Sequence, residues 1–319
     1  MGAHLNASFV VFARNKRKNI EKCLQTALQQ SAPGLEIVFS DQGSTDGTRE
    51  VMQDYAARYD GPHSVRVIDC PDRTPQGMSG MNAHLNWIMT QLQTDVAILT
   101  AADDYSEPDR SRKVMEAYEE TDADVVLTSQ TFLDVDNPEG GRAGCTDFAS
   151  DARFLSGAEI IERSIGGSGS QSWRTDFCQR IGGCGGIVPQ DIYFCFLAAQ
   201  ARGCYWIPDN LHTYVMRADP DNTGLEGVMR AAKYAGRTDE AAQLEELAGY
   251  QLAASYFSLA ERARDLFPEM APADESTLLN HALMRAYSWS KARDVLTYGG
   301  IPPLQIGRAS CRERVSSPV

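Results

Sequence analysis

The sequence has no C-x-x-C pair. Its eight cysteines (Cys23, Cys70, Cys145, Cys178, Cys184, Cys195, Cys204 and Cys311) are scattered and show no zinc-ligand spacing, which argues against a structural metal knot or a redox pair. They read as buried free thiols in a reducing compartment. No apolar run approaches the roughly 20 residues that a membrane-spanning helix needs. The opening "MGAHLNASFVVFARNK" has an apolar patch with no basic region before it, so it does not read as a signal peptide. The expectation is a cytoplasmic protein with no membrane span. Positive charge is in short supply too, with a formal net charge of −13, which disfavours non-specific attraction to nucleic acid or anionic membrane. One basic cluster remains, "RNKRK" from Arg14 to Lys18, readable either as a local groove or as a solvated helix start. Glycine is missing from "FARNKRKN", where a dinucleotide-binding G-x-G-x-x-G turn would have to follow the first strand. That excludes a nicotinamide-dependent oxidoreductase.

What is present alternates. Phe9–Phe12, Leu35–Ser40, Val65–Ile68, Val96–Leu99 and Val125–Thr128 are short β-branched or aromatic runs that predict buried strands. Between them Ile20, Cys23, Leu24, Ala27 and Leu28, then Val51, Met52, Tyr55 and Ala56, then Met81–Leu92, recur at helical spacing. Such alternation predicts a mostly parallel sheet between helices. Asn15, Asp41, Arg73 and Asp103 each fall just after a predicted strand, where an α/β sheet opens its ligand crevice. Residues 134–186 are Gly-rich and irregular, either linker or a substrate-shaping segment. Leu225–Leu266 and Ser276–Leu296 read as helical. The expected division is an α/β domain over 1–221, a helical domain over 222–304, and a foreign-looking tail, "QIGRASCRERVSSPV", over 305–319.

The stretch "SFVVFARNKRKNIEKCLQTALQQSAPGLEIVFSDQGSTDGTREVM", followed by "GMSGMNAHLNWI", "AADDYSEPDR" and "GGIVPQDIYFCFLAAQARG", resembles glycosyltransferase family 2, in order and spacing, over residues 8–217. The resemblance implies a GT-A nucleotide-diphospho-sugar transferase fold and inverting transfer from a nucleotide-sugar donor, expected to be a UDP-sugar, to an acceptor hydroxyl. It places Ala13, Asn15, Asp41, Arg73, Asn82, Asp103 and Arg217 around the donor, with Asp41 accepting from the base. It makes Asp103 and Asp104 ligands of Mn²⁺ or Mg²⁺, which would neutralise the departing diphosphate. It makes Asp191 the general base and Trp173 an acceptor-side aromatic.

Each residue also has a plainer reading. Asp41 can cap its loop, Arg73 can be a solvated loop residue, and Asp103 with Asp104 can cap the next helix. Asp191 can cap the helix it opens, and Trp173 can be a core residue. The chain departs from the family in four places: Gln42 and Ala101 stand where acids are usual, Gln190 precedes Asp191, and Ala218 stands where a metal-binding His is common, which leaves His212 or Asp219 as substitutes. The expected acceptor is a glycan or a lipid-linked sugar. A hydroxymethylated base in DNA is the alternative acceptor, and a non-catalytic sugar-nucleotide-binding module the alternative role.

Overall fold

The computed structural model describes residues 5–71, 80–136, 149–163, 165–184, 190–217, 236 and 254–280. They belong to two compact units, Met1–Asp221 and Asn222–Val319. The first is built on nine strands: β1 (Ala7–Ala13), β2 (Glu36–Asp41), β3 (Ser64–Asp69), β4 (Val96–Ala101), β5 (Tyr105–Ser106), β6 (Val125–Asp134), β7 (Arg153–Leu155), β8 (Gln171–Arg174) and β9 (Cys204–Met216). Among the described residues seven α-helices accompany them: α1 (Ile20–Leu28), α2 (Thr48–Arg58), α3 (Gly80–Gln91), α4 (Arg110–Thr121), α5 (Gly157–Glu162), α6 (Thr175–Arg180) and α7 (Gln190–Ala199). The strand order is β3-β2-β1-β4-β8-β6-β9-β5, with β7 also paired to β9.

β1 sits in the interior of the sheet, and every one of its residues is buried. Its Phe9, Val10, Val11 and Phe12 suit a strand covered on both faces. α1 packs on it through Ile20, Cys23, Leu24 and Ala27, one face of a helix at spacings of three and four. The chain leaves α1 at Gln29 and turns through Gly34, whose φ of 68° falls in the left-handed region that glycine adopts without strain.

The expectation of a mostly parallel sheet holds for one half only. β1 pairs parallel with β2 and β4, and β2 with β3. β8 then enters antiparallel to both β4 and β6. β6 runs parallel to β9, while β5 and β7 lie antiparallel on β9. The reason lies in partners distant along the chain. "QSWR" carries no apolar alternation, and it forms a strand because Trp173 fills the core and Tyr118 Oη donates to the Ser172 carbonyl at 2.7 Å. The result is a mixed α/β sheet.

In the second unit the described helices span 254–266 and 272–280. Tyr256, Leu259, Ala260 and Ala263 are buried at helical spacing, and Arg264 Nε donates to Glu275 Oε1 at 3.1 Å across the turn. The rest of the predicted helical domain and the 305–319 tail lie outside the described residues. No described helix is long and apolar enough to cross a membrane.

Candidate active site

The carboxyl ends of the parallel strands β1, β2 and β4 bring Ala13 and Asp41 together, with Asn15 and Asp103 in the turns that follow. Ala13 pairs in register with Asp41, and Phe12 with Ala101, so β1, β2 and β4 end side by side. Two loops leave this edge and are tied to each other. Asn15 adopts φ 53°, a conformation that asparagine tolerates better than most residues. Its N–H donates to Ser44 Oγ at 2.8 Å, and its Oδ1 accepts the Thr45 N–H at 2.9 Å. The next N–H, of Lys16, donates to Thr48 Oγ1 at 2.7 Å, and that of Arg17 to Asp46 Oδ2 at 3.0 Å. Asn15 therefore engages its oxygen in joining the loops.

Asp41 closes β2 and is 2% exposed. Its Oδ2 accepts the Ser44 N–H at 2.9 Å, as a loop cap would, while its Oδ1 is buried with no partner. A buried carboxylate oxygen without a donor is costly, so Asp41 is a loop cap with one acceptor position left over. Gln42, in the position where the family has an acid, is buried and donates through Nε2 to the Gly80 carbonyl at 3.0 Å. Asn82 is buried on α3 close behind. Next to it on that helix, His84 Nε2 lies 2.7 Å from Ser40 Oγ; burial, reinforced by the charge of Arg14, lowers its pKa to about 4. Arg73, Ala218 and Asp219 lie outside the described residues.

The two aspartates after β4 part company. Asp103 is partly exposed, and Lys16 Nζ lies 2.7 Å from its Oδ2. Asp104 is 2% exposed; its Oδ1 accepts the Val215 N–H at 2.9 Å, and its Oδ2 stands 3.3 Å from His212 Nε2. His212 Nδ1 faces Arg110 Nη1 at 3.4 Å. This arrangement fits the Nε2–H tautomer, donating to Asp104 and accepting from Arg110. Arg110 is fully buried and also donates to Ser106 Oγ and to the Leu99 and Gln171 carbonyls. Burial brings the Arg110 pKa down to about 9 and, joined by the Arg110 charge, pushes that of His212 well below its usual value. Burial and then the Asp103 charge hold the Asp104 carboxyl well above the usual range. The expectation that Asp104 binds metal is thus corrected: both its oxygens are engaged inside the core. His212, considered as a substitute ligand, belongs to the same internal chain.

Among the described residues no three His, Cys, Asp or Glu side chains gather into a metal cage. Of the expected ligand set, Asp103 is what remains among the described residues. It fits the kind of site in which one carboxylate and substrate phosphates share an octahedral ion, and a cation already lies against its Oδ2.

Asp191 stands in the first turn of α7, half-buried. Its Oδ2 accepts the Gly167 N–H at 2.7 Å, and its main-chain oxygen accepts from Gln171 Nε2 at 3.0 Å. Gly167 has φ 124°, which only glycine adopts readily. A Cβ on Gly166 would lie 2.8 Å from Asp191 Oδ2, and one on Gly169 would lie 2.3 Å from His212 Nε2. The segment Gly166–Gln171 therefore presses on Asp191 at one end and on the Asp104–His212 pair at the other. The residue reading of the Gly-rich stretch left linker and shaping segment open; within its described part, Gly166–Gln171 is packed against both aspartates.

Trp173 is the second correction. It is completely buried on β8, stacked on Phe194 with ring centroids 3.9 Å apart, and its Nε1 donates to Gln171 Oε1 at 2.6 Å. No ring face is left for an acceptor. Arg217, just past β9, contacts Asn19 Oδ1 through Nη1, and its Nε is buried without a partner.

Residues 8–180, more than half of the chain, match the family described as glycosyl transferase family 2. The chain belongs to that family and is a glycosyltransferase of GT-A fold. Among solved structures it resembles S. aureus TarS 1–349 in complex with UDP-GlcNAc, with a TM-score of 0.65 and 15% identity over 93% of this chain and 77% of that one. The UDP complex of the same protein gives a TM-score of 0.63 and 16% identity over 93% and 76%. The mannosyltransferase PcManGT from Pyrobaculum calidifontis, in complex with GDP-Man and Mn²⁺, gives 0.55 and 13% over 94% and 77%. No curated protein matches the chain.

Proposed function

We propose that this glycosyltransferase inverts a sugar carbon while moving the sugar from UDP to an acceptor hydroxyl. The observation that carries the donor half is Asp41: a buried carboxylate oxygen with no partner at the end of β2, in a position to accept the N3–H of a uracil ring. Complexes of similar fold hold UDP, UDP-GlcNAc and GDP-Man. Arg217, with an unpartnered Nε, is the cation that meets the diphosphate. A divalent ion on Asp103 would supply further charge neutralisation as the diphosphate leaves.

The chain's own residues then do the rest. The Gly167 N–H donates to Oδ2 of Asp191 and the Ile192 N–H to its Oδ1, so the carboxylate is held between α7 and the Gly166–Gln171 segment. Asp191 takes the proton of the acceptor hydroxyl, and that oxygen attacks the anomeric carbon from the face opposite the diphosphate. The buried Asp104–His212–Arg110 chain keeps the turn after β4 in place, so that Asp103 faces outward. A glycan or lipid-linked sugar is the acceptor class favoured, since the net charge of −13 works against DNA.

The test is a matrix of UDP-, GDP- and dTDP-sugars against glycan, lipid-linked and hydroxymethylated-DNA acceptors, with product read by mass spectrometry. Transfer from a UDP-sugar to a glycan or lipid-linked acceptor is the expected result. Transfer only from GDP- or dTDP-sugars would refute the uridine reading.

A further inference from the structure

Gln171 opens β8 and is completely buried. A buried amide is costly unless its oxygen and nitrogen both find partners, and an apolar side chain of the same length would fill the space without that demand. Both groups of Gln171 are engaged. Its Oε1 accepts the Trp173 Nε1–H at 2.6 Å, which aims the Nε2 end at α7. There Nε2 has an acceptor for each of its two hydrogens, the Asp191 main-chain oxygen at 3.0 Å and Cys195 Sγ at 3.3 Å. Asp191 and Cys195 are four residues apart, so one amide grips two successive turns on one face of the helix. Two grips one turn apart fix the rotation of a helix as well as its place, and rotation is what swings the Asp191 carboxylate. The strand behind the amide is itself held: Gln171 pairs with Leu127 on β6, and its carbonyl accepts from Arg110 Nη2 at 3.2 Å. The same segment meets Asp191 again four residues earlier, where the Gly167 N–H donates to Oδ2.

We propose that Gln171 is a positioning residue for sugar transfer. Through the Asp191 main-chain oxygen and Cys195 Sγ it sets the angle at which the Asp191 carboxylate meets the acceptor hydroxyl. It acts through Asp191 and not on the substrate. A general base displaced by about 1 Å loses much of its effect, whereas the strand ends of β1, β2 and β4, which carry the donor residues, do not depend on this amide. This inference rests on the reading of Asp191 as the base given above.

The experiment is a double-mutant cycle. Transfer between the donor and acceptor that give product in the matrix above is measured for wild type, Gln171→Met, Asp191→Asn and the double variant. Thermal melts set an assay temperature at which all four are folded, and UDP is titrated into each by calorimetry. Met keeps the length of Gln and donates nothing. Gln171→Met lowers kcat by roughly tenfold or more, the cost of a misplaced base, and leaves UDP affinity and the donor KM unchanged. In the Asp191→Asn background the same substitution costs nothing further, because a residue that acts only through the base has nothing left to act on. If Asp191→Asn is slow while Gln171→Met turns over at the wild-type rate, or if the two losses multiply, Gln171 is a core residue only and the reading of Asp191 stands. If Asp191→Asn transfers at the wild-type rate, or no pair gives product, the proposed function fails, and this inference with it. Where Gln171→Met does not fold, Trp173→Phe takes its place in the cycle. It keeps an aromatic ring against Phe194 and removes the N–H that aims the amide, and the same outcomes decide.

Discussion

His212 Nε2 stands 3.3 Å from Asp104 Oδ2, and both side chains are buried. This contact separates the roles of two adjacent aspartates, since it turns Asp104 into the core while Asp103 stays at the crevice. Asp104→Ala should take away the partner of the Val215 N–H and of His212 Nε2 and cost about 1–3 kcal/mol of stability. Asp103→Asn breaks only a partly exposed ion pair, and its stability should change by less than about 1 kcal/mol while Mn²⁺-dependent nucleotide binding weakens. Urea denaturation of both variants, with nucleotide titrations, checks the contrast. Equal losses of stability would mean that the two aspartates are not divided in this way.

Gly169 tests the segment that joins the two aspartates. A methyl there meets His212 Nε2 at 2.3 Å and Asp104 Oδ2 at 3.0 Å, both fixed in a packed interior. Gly169→Ala should destabilise by about 1–3 kcal/mol through overpacking and slow transfer as well. A variant with wild-type melting temperature and rate would show that the segment yields freely.

Much of this was legible in the sequence, for physical reasons. β1 and β2 are buried on both faces and wrote themselves as runs of Val, Ile and Phe. Asp41 was found because an aspartate at a strand end before a G-S-T-D-G-T loop is local turn chemistry. What escaped depends on distant partners. Asp103 and Asp104 look alike in sequence, and the side each faces is decided by His212, 108 residues beyond Asp104. β8 escaped because Gln171, Ser172, Trp173 and Arg174 form a strand only once β4 and β6 flank them. Trp173 was open between core and acceptor for the same reason: Phe194, its stacking partner, lies on α7.

Asp41 carries the nucleotide choice. Asp41→Asn can preserve one acceptor oxygen for the Ser44 N–H, but the other position becomes an amide donor facing the base. UDP affinity should fall by roughly tenfold, the worth of one hydrogen bond to a charged group, with little change for GDP. Calorimetry with both nucleotides measures it. An unchanged UDP affinity would leave Asp41 as a loop cap only.

The buried imidazole of His84 predicts a pH dependence. Its pKa falls from the usual 6.5 to about 4 on folding, so between these values the unfolded chain binds the proton and the folded one does not. Stability therefore declines as pH falls from 6.5 towards 4, by about 3 kcal/mol in total for this group. His84→Gln removes that share of the slope. Denaturation midpoints at pH 7, 6, 5 and 4 for both proteins compare the slopes; parallel curves would show that His84 does not contribute.

The central claim is that Asp191, fixed by the Gly167 N–H, removes the acceptor proton. Asn has the same shape and cannot take that proton. Donor titration and transfer rates are to be measured side by side for wild type and Asp191→Asn. The account predicts unchanged donor affinity and a turnover lowered by ~10²–10⁴-fold, the usual contribution of a positioned general base. Transfer by Asp191→Asn at near the wild-type rate would contradict it, and would leave Asp191 as a residue that only braces Gly167.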